Sequence, residues 1–233
     1  METIAYTENG VSLSGLLVQP KGGSARAGVL ICHEGPGRGA HIHRRLEMLA
    51  ELGYAAFALD VFGDGAPVET ERDKIFGRLM PWLQDRQALR ARALAGLDAF
   101  KKAASTKITF AIGYCFGGTV ALELARMGAP LTGVASFHGG LKAGIPAESG
   151  AVKAAVLSCV GTEDPSIPLE DRTAFEAEML AAGAKFQTLL FSGTMHSFTN
   201  KDAPSIPGFG YNAWADQQSW SAMRAFFEAL EAQ

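Results

Sequence analysis

Short, continuous apolar runs alternate along this chain with longer stretches whose apolar residues recur every three to four positions. Gly28–Cys32, Tyr54–Leu59, Ile108–Ile112, Gly133–Phe137 and Ala154–Val160 have strand length, with Lys185–Leu190 as a last strand. Continuity rather than alternation predicts strands buried on both faces. Between them, His43–Leu52, Gln84–Lys102, Thr119–Met127, Leu169–Ala182 and Ala213–Ala232 read as helices. Strands alternating with helices predict an α/β domain over residues 1–233, with a mostly parallel central sheet and helices on both faces. Near the start, Val11–Val18 has mixed alternation and is expected to pair with a strand at Ile4–Tyr6 as an antiparallel edge. The stretch from Phe62 to about Pro81, with Gly63, Gly65, Pro67 and many charges, is expected as a long irregular surface connection roofing the site.

Composition narrows the function classes. The 233 residues are 48% hydrophobic and 19% charged with net charge −3, the profile of an ordinary soluble globular protein. No basic stripe offers itself to nucleic acid, and no apolar run reaches the length of a membrane helix. The start, Met1-Glu2-Thr3-Ile4-Ala5, lacks the basic-then-apolar pattern of a signal peptide. Cys32, Cys115 and Cys159 are far apart with no C-x-x-C pair, so neither a disulfide framework nor a zinc site is expected, and cytoplasm is the expected location. His41 and His43 have i, i+2 spacing, which does not bring two rings to one helix face, so no metal is expected there. The expected assembly is a monomer or small homo-oligomer.

Gly113-Tyr114-Cys115-Phe116-Gly117 carries the chemistry. It fits a nucleophile elbow, G-x-Nu-x-G, with cysteine as nucleophile, between the Ile108–Ile112 strand and the Thr119–Met127 helix. A helix beginning just after Cys115 offers its positive dipole end to a thiolate. In chains built on such an elbow the order is nucleophile, acid, histidine. Gly161-Thr162-Glu163-Asp164 follows the strand ending at Val160, and Gly193-Thr194-Met195-His196 follows the next strand. Asp164 is thus the expected acid and His196 the expected base, although Asp164 could instead cap the helix near Pro168 and His196 could be a solvated loop histidine. Cys32-His33-Glu34-Gly35-Pro36-Gly37 also ends a strand, so the N–H groups of Gly35 and Phe116 are the expected oxyanion donors. Glu34 beside them opposes developing negative charge unless it accepts the thiol proton or pairs with a cation; a solvated loop glutamate is the alternative. His33 and His138, both at strand ends, either line the pocket or sit on the surface.

On His33-Glu34-Gly35, the elbow Gly113 to Gly118, Gly161 to Asp164, His196-Ser197-Phe198 and the final helix with Tyr211-Asn212-Ala213 and Ser219-Trp220, the chain resembles the dienelactone hydrolase family of the α/β-hydrolase superfamily nearly end to end. The resemblance implies a Cys-Asp-His triad at Cys115, Asp164 and His196, a glutamate at Glu34 contacting the cysteine, arginines holding a substrate carboxylate, and no cofactor. Of those arginines one corresponds to Arg72, and the other, four residues after the histidine, is replaced here by Asn200. Asn lacks the charged fork of arginine, which leaves dienelactone itself open as substrate. Arg72, Asn200, Phe198 and Tyr114 are the expected substrate contacts. Because a thiolate leaves more readily than an alkoxide, esters with good leaving groups are favoured: enol lactones, aryl esters and thioesters. The competing readings are a broader carboxylesterase or thioesterase and a catalytically silent ligand-binding scaffold.

Overall fold

The continuous apolar runs become the centre of a single eight-stranded sheet. In the computed structural model, which describes residues 1–204 and 206–233, β3 (Gly28–Cys32), β4 (Ala55–Ala58), β5 (Thr109–Tyr114), β6 (Gly133–Phe137) and β7 (Ala155–Gly161) are buried at every position. That burial is what strands covered on both faces require. β1 (Glu2–Glu8) and β2 (Val11–Val18) form an antiparallel hairpin whose turn residues, Asn9 and Gly10, both have positive φ. β8 (Phe186–Phe191) forms the far edge, and the order is β1-β2-β4-β3-β5-β6-β7-β8, parallel from β4 onward.

Among the described residues six helices cover the sheet: α1 (Ala40–Glu51), α2 (Arg72–Gln84), α3 (Arg86–Ala104), α4 (Phe116–Arg126), α5 (Leu169–Ala181) and α6 (Ala213–Glu231). One core cluster contains Leu46 and Leu49 of α1 with Met223 and Phe227 of α6, where the Phe227 ring stacks on Phe110 at 4.0 Å. The other contains Leu97 and Phe100 of α3, Val120 and Leu124 of α4 and Phe175 of α5. Each fully buried Phe or Leu stabilises the sandwich by about 1.5–3 kcal/mol. A buried ion cluster binds three of these helices together: Glu123 of α4 pairs with Arg90 of α3 and Arg126, and Arg126 also reaches Glu178 of α5.

One expectation is corrected. Arg72 to Pro81 is not irregular but belongs to α2, which carries Gly77 and Pro81 inside it. Glycine and proline are poor helix formers, which obscured the pattern. Ile75, Leu79, Trp82 and Leu83 nevertheless follow i, i+4, i+7, i+8 spacing, and all four pack on the core. Pro81 sits in the last turn, where its missing N–H costs one bond and its carbonyl still accepts from Asp85 N–H.

Candidate active site

β5 delivers Cys115 to the C-terminal edge of the sheet through a turn that only glycines permit. A Cβ on Gly113 would stand 1.9 Å from the Gly117 carbonyl oxygen, and one on Gly117 would stand 1.9 Å from the Cys32 carbonyl oxygen at the end of β3. Cys115 itself has φ 54° and ψ −121°, a strained conformation costing about 1–3 kcal/mol. That strain is the geometry of an elbow, and α4 starts at the next residue. Cys32 and Cys159 are fully buried and burial pushes both thiols up, whereas Cys115 is partly exposed at a helix N-terminus.

Asp164 and His196 meet beside the elbow. The Asp164 side chain does not cap α5, which begins after Pro168 with no side-chain cap. Its Oδ1 accepts from Ser166 N–H at 2.8 Å and its Oδ2 lies 2.8 Å from His196 Nδ1. Both residues are buried, so His196 is not a solvated loop histidine. Its backbone is fixed by N–H donation to Gly208 and by acceptance from Gly210 N–H, and the Phe209 ring stands edge-on to the imidazole at 4.9 Å. Gly161 lets this loop approach: a Cβ there would be 2.1 Å from Thr194 O. With Nδ1 on the carboxylate, Nε2 is the nitrogen left for Cys115. Burial works against the charged imidazole, but the charge of Cys115 and the hydrogen bonds with the accepting Asp164 and with Cys115 outweigh it and push His196 up to about 10.

The loop after β3 fixes a second set of donors. His33 is fully buried, its Nε2 accepts from Val61 N–H at 3.2 Å, and the proton therefore sits on Nδ1, which donates to the Glu34 carbonyl at 2.8 Å. Burial, the main cause, holds His33 down to about 4, so it stays neutral. Gly37 N–H donates to the same carbonyl. Because a trans peptide points its C=O and N–H in opposite directions, these bonds turn the Gly35 N–H the other way. Among the described residues neither Gly35 N–H nor Phe116 N–H is taken by another backbone acceptor. Arg78 of α2 braces the loop through the carbonyls of Gly35, Pro36 and Pro67 and lies over Phe62, which stacks on Phe116.

Glu34 is buried rather than solvated. Asn200 Nδ2 lies 3.2 and 3.4 Å from its two oxygens, and His41 Nδ1 lies 3.1 Å from Oε2. Arg45 Nε–H donates to His41 Nε2 at 3.2 Å, which leaves the His41 proton on Nδ1, facing Glu34. The Arg45 guanidinium also donates to Thr199 O and Asp216 and lies between the Tyr114 and Trp220 rings.

The structure moves three expected substrate contacts. Tyr114 is fully buried, stacked on Phe137 beneath Arg45, because alternate residues of β5 face opposite sides of the sheet and its neighbour Cys115 takes the turn. Phe198 is likewise fully buried, packed against His138 and Phe191. Arg72 is exposed at the start of α2 over the Phe76 ring. Asn200 does stand at the site, on Glu34. Arg45, Arg78 and Thr199 are not singled out by the sequence, which offers His41 only as half of a weak metal pair with His43; the (i, i+4) pair His41/Arg45 on a helix was the available signal for their contact. Among the described residues no cluster of three or more His, Cys, Asp or Glu is arranged to hold a metal ion, and no helix is long and apolar enough to cross a membrane.

The dienelactone hydrolase family model matches residues 13–230. The chain belongs to the dienelactone hydrolase family. A solved structure of a dienelactone hydrolase-like promiscuous phosphotriesterase from metagenomic libraries superposes on this hydrolase with a TM-score of 0.93 at 35% identity, covering 98% of this chain and 97% of that one. An uncharacterized Caenorhabditis elegans protein is 32% identical over 147 residues, 60% of this chain and 92% of its own length. A dienelactone hydrolase from Anabaena variabilis, at 23% identity and a TM-score of 0.68 over 96% of both chains, shares the fold. This dienelactone hydrolase-like protein thus has the α/β-hydrolase sheet order and an elbow with cysteine at its turn.

Proposed function

We propose that this hydrolase cleaves activated, uncharged esters and enol lactones through a Cys115–His196–Asp164 triad and an acyl-thioester intermediate. The observation that carries the reading is the 2.8 Å contact between His196 Nδ1 and Asp164 Oδ2 at the strand ends beside a positive-φ Cys115. His196 Nε2 takes the Cys115 proton, and Asp164 holds the ring's tautomer and supports the imidazolium. Sulfur bonds to the carbonyl carbon while the carbonyl π pair moves to oxygen, where the N–H groups of Phe116 and Gly35 receive it. Collapse breaks the carbon–oxygen bond of the leaving group, which departs with the proton from His196. Water then attacks the thioester with His196 as base, and the thiolate leaves. Cysteine favours substrates whose leaving group competes with a thiolate, namely enolates, aryloxides and thiolates.

The preference for uncharged substrates follows from the cations around the site. Arg78 is spent on backbone carbonyls, Arg45 on His41, Thr199 and Asp216, and Arg72 lies out on Phe76. Asn200 stands where an arginine would grip a carboxylate, and it faces the acidic Glu34. Hydrolysis of a neutral aryl ester, a neutral enol lactone and an anionic dienelactone by the wild type and Cys115→Ala tests both halves of the reading. Loss of all turnover in the variant and a higher kcat/KM for the neutral substrates are expected; substantial turnover by Cys115→Ala, or preference for the anion, refutes the corresponding half.

The phosphotriesterase relative supports a second reading, with the same thiolate attacking the phosphorus of an aryl dialkyl phosphate and expelling the aryloxide. The phosphoryl oxygen would take the place of the ester oxyanion. Release of aryloxide by the wild type and not by Cys115→Ala is the expected result.

A further inference from the structure

Two acceptors share the backbone N–H of the candidate nucleophile, and one of them is a side chain with no part in the reaction above. Cys115 N–H donates to the Phe137 carbonyl at 3.0 Å, as the strand ladder requires, and also reaches His138 Nδ1 at 3.0 Å. An N–H can meet only a lone pair, so Nδ1 of His138 is unprotonated and the ring proton lies on Nε2. That Nε2–H donates to Thr199 Oγ1 at 2.8 Å. His138 is therefore a bridge: one nitrogen holds the elbow, and the other holds the loop three residues beyond His196. Its ring also stands edge-on to the His196 ring at 5.2 Å and to Phe198 at 5.1 Å.

The bridge is rigid and it is neutral. His138 is fully buried and has φ 41°, a conformation held by its own N–H donation to Cys159 O at 2.9 Å. No carboxylate contacts the ring among the described residues. Burial opposes a second proton most, and the titratable or charged groups that face the ring, His196, His41 and Arg45, are all ones whose positive charge would oppose it further. Gly139, the next residue, packs so closely on α4 that a Cβ would be 2.6 Å from Gly118 Cα, which locks the chain on the far side of the ring.

We propose that His138 is a positioning residue: by joining the Cys115 elbow to the His196–Thr199 loop through a fixed Nε2–H tautomer, it sets the approach of thiol to imidazole. The proposal rests on the reading of Cys115 and His196 as nucleophile and base. It goes beyond that reading in assigning a role to a third histidine that touches neither substrate nor the reacting atoms. A misplacement of about 1 Å between reacting groups costs on the order of 10²-fold in rate.

The test compares His138→Phe, which keeps an aromatic ring in the core but offers neither acceptor nor donor, with His138→Asn, whose amide oxygen falls near the position of Nδ1. Each is assayed on a neutral aryl ester, with a thermal melt and with Cys115→Ala measured alongside. His138→Phe is expected to lose about 10²-fold in kcat with KM little changed, because the pocket that binds the ground state is untouched. His138→Asn is expected to recover most of that loss. A wild-type kcat for His138→Phe overturns the proposal. So does an equal loss in both variants that follows their melting temperatures, since a merely structural histidine would show no rescue by the acceptor. Activity retained by Cys115→Ala instead overturns the nucleophile assignment, which separates the two failures.

Discussion

Gly117→Ala is the substitution for which this fold sets the sharpest consequence. The added methyl would stand 1.9 Å from the Cys32 carbonyl oxygen, 2.4 Å from the Cys32 carbonyl carbon and 2.6 Å from the His33 carbonyl oxygen. All three are backbone atoms at the end of β3, so no side chain can rotate away. Regaining ordinary van der Waals contact requires α4 and β3 to separate by about 1.5 Å. Overpacking of this kind costs about 1–3 kcal/mol, and for a chain of this length each kcal/mol lowers Tm by roughly 2–4 °C. The melt should therefore fall by about 2–12 °C. The same displacement moves Cys115 and the Phe116 N–H away from Gly35 and His196, which should lower kcat/KM on an activated aryl ester by about 10²-fold. Gly77→Ala is the control: no atom lies within 4 Å of its added Cβ, its φ is not positive, and it sits inside α2. That variant should keep full activity and gain up to about 1 kcal/mol of stability. If Gly117→Ala matched the wild type in both Tm and kcat/KM, the elbow would not have the tight backbone contact on which the candidate site depends.

Other consequences follow from single contacts. Cys115→Ala removes the negative neighbour that does most to hold the proton on His196, so the imidazole midpoint, about 10 in the wild type, should move down in an NMR titration; an unchanged midpoint would uncouple the two residues. Asp164→Asn preserves shape but supplies no charge behind the imidazolium and favours the wrong tautomer, so kcat should drop by roughly 10³–10⁴-fold in a steady-state ester assay. Arg126→Ala leaves Glu123 and Glu178 without one of their partners in the core, and urea unfolding should show a loss of about 3–5 kcal/mol.

The fold was legible because its signal is repeated. Five strands buried at every position are hard to mistake for anything but a parallel sheet, and that sheet puts Cys115, Asp164 and His196 after the C-terminal ends of β5, β7 and β8 without knowledge of a single distance. The structure brings Asp164 and His196 into contact as expected. What escaped was whatever depends on long-range packing. α2 hid behind Gly77 and Pro81, whose local preferences oppose the helix that Ile75 and Leu79 gain by packing on Gly35. Tyr114 and Phe198 look like pocket residues from their neighbours in sequence, but the alternation of β5 and the packing of the His196 loop send both rings into the core. His33 and His138 were placed at the right edge with their roles open, because the partners that fix their tautomers, Val61, Cys115 and Thr199, are 28, 23 and 61 residues away.

The sequence left Glu34 with a choice between taking the thiol's proton and pairing with a cation, and the geometry around it narrows that choice. A buried carboxylate needs donors to offset the loss of water. The Asn200 amide meets that need here by donating to both oxygens, and His41 Nδ1 is a further close contact, 3.1 Å from one of them but without hydrogen-bond geometry. Glu34 is thus satisfied without an arginine at position 200. The substitution has an electrostatic consequence as well as a steric one, because a neutral amide offsets none of the carboxylate's charge at the mouth of the site. Asn200→Arg should therefore reverse the substrate order. An arginine there would pair with Glu34 and still present N–H groups to an anion, raising kcat/KM for an anionic ester relative to its neutral counterpart by about tenfold, the worth of one charge-assisted hydrogen bond. If the ratio did not move, the preference for neutral substrates would have to come from something other than charge at position 200.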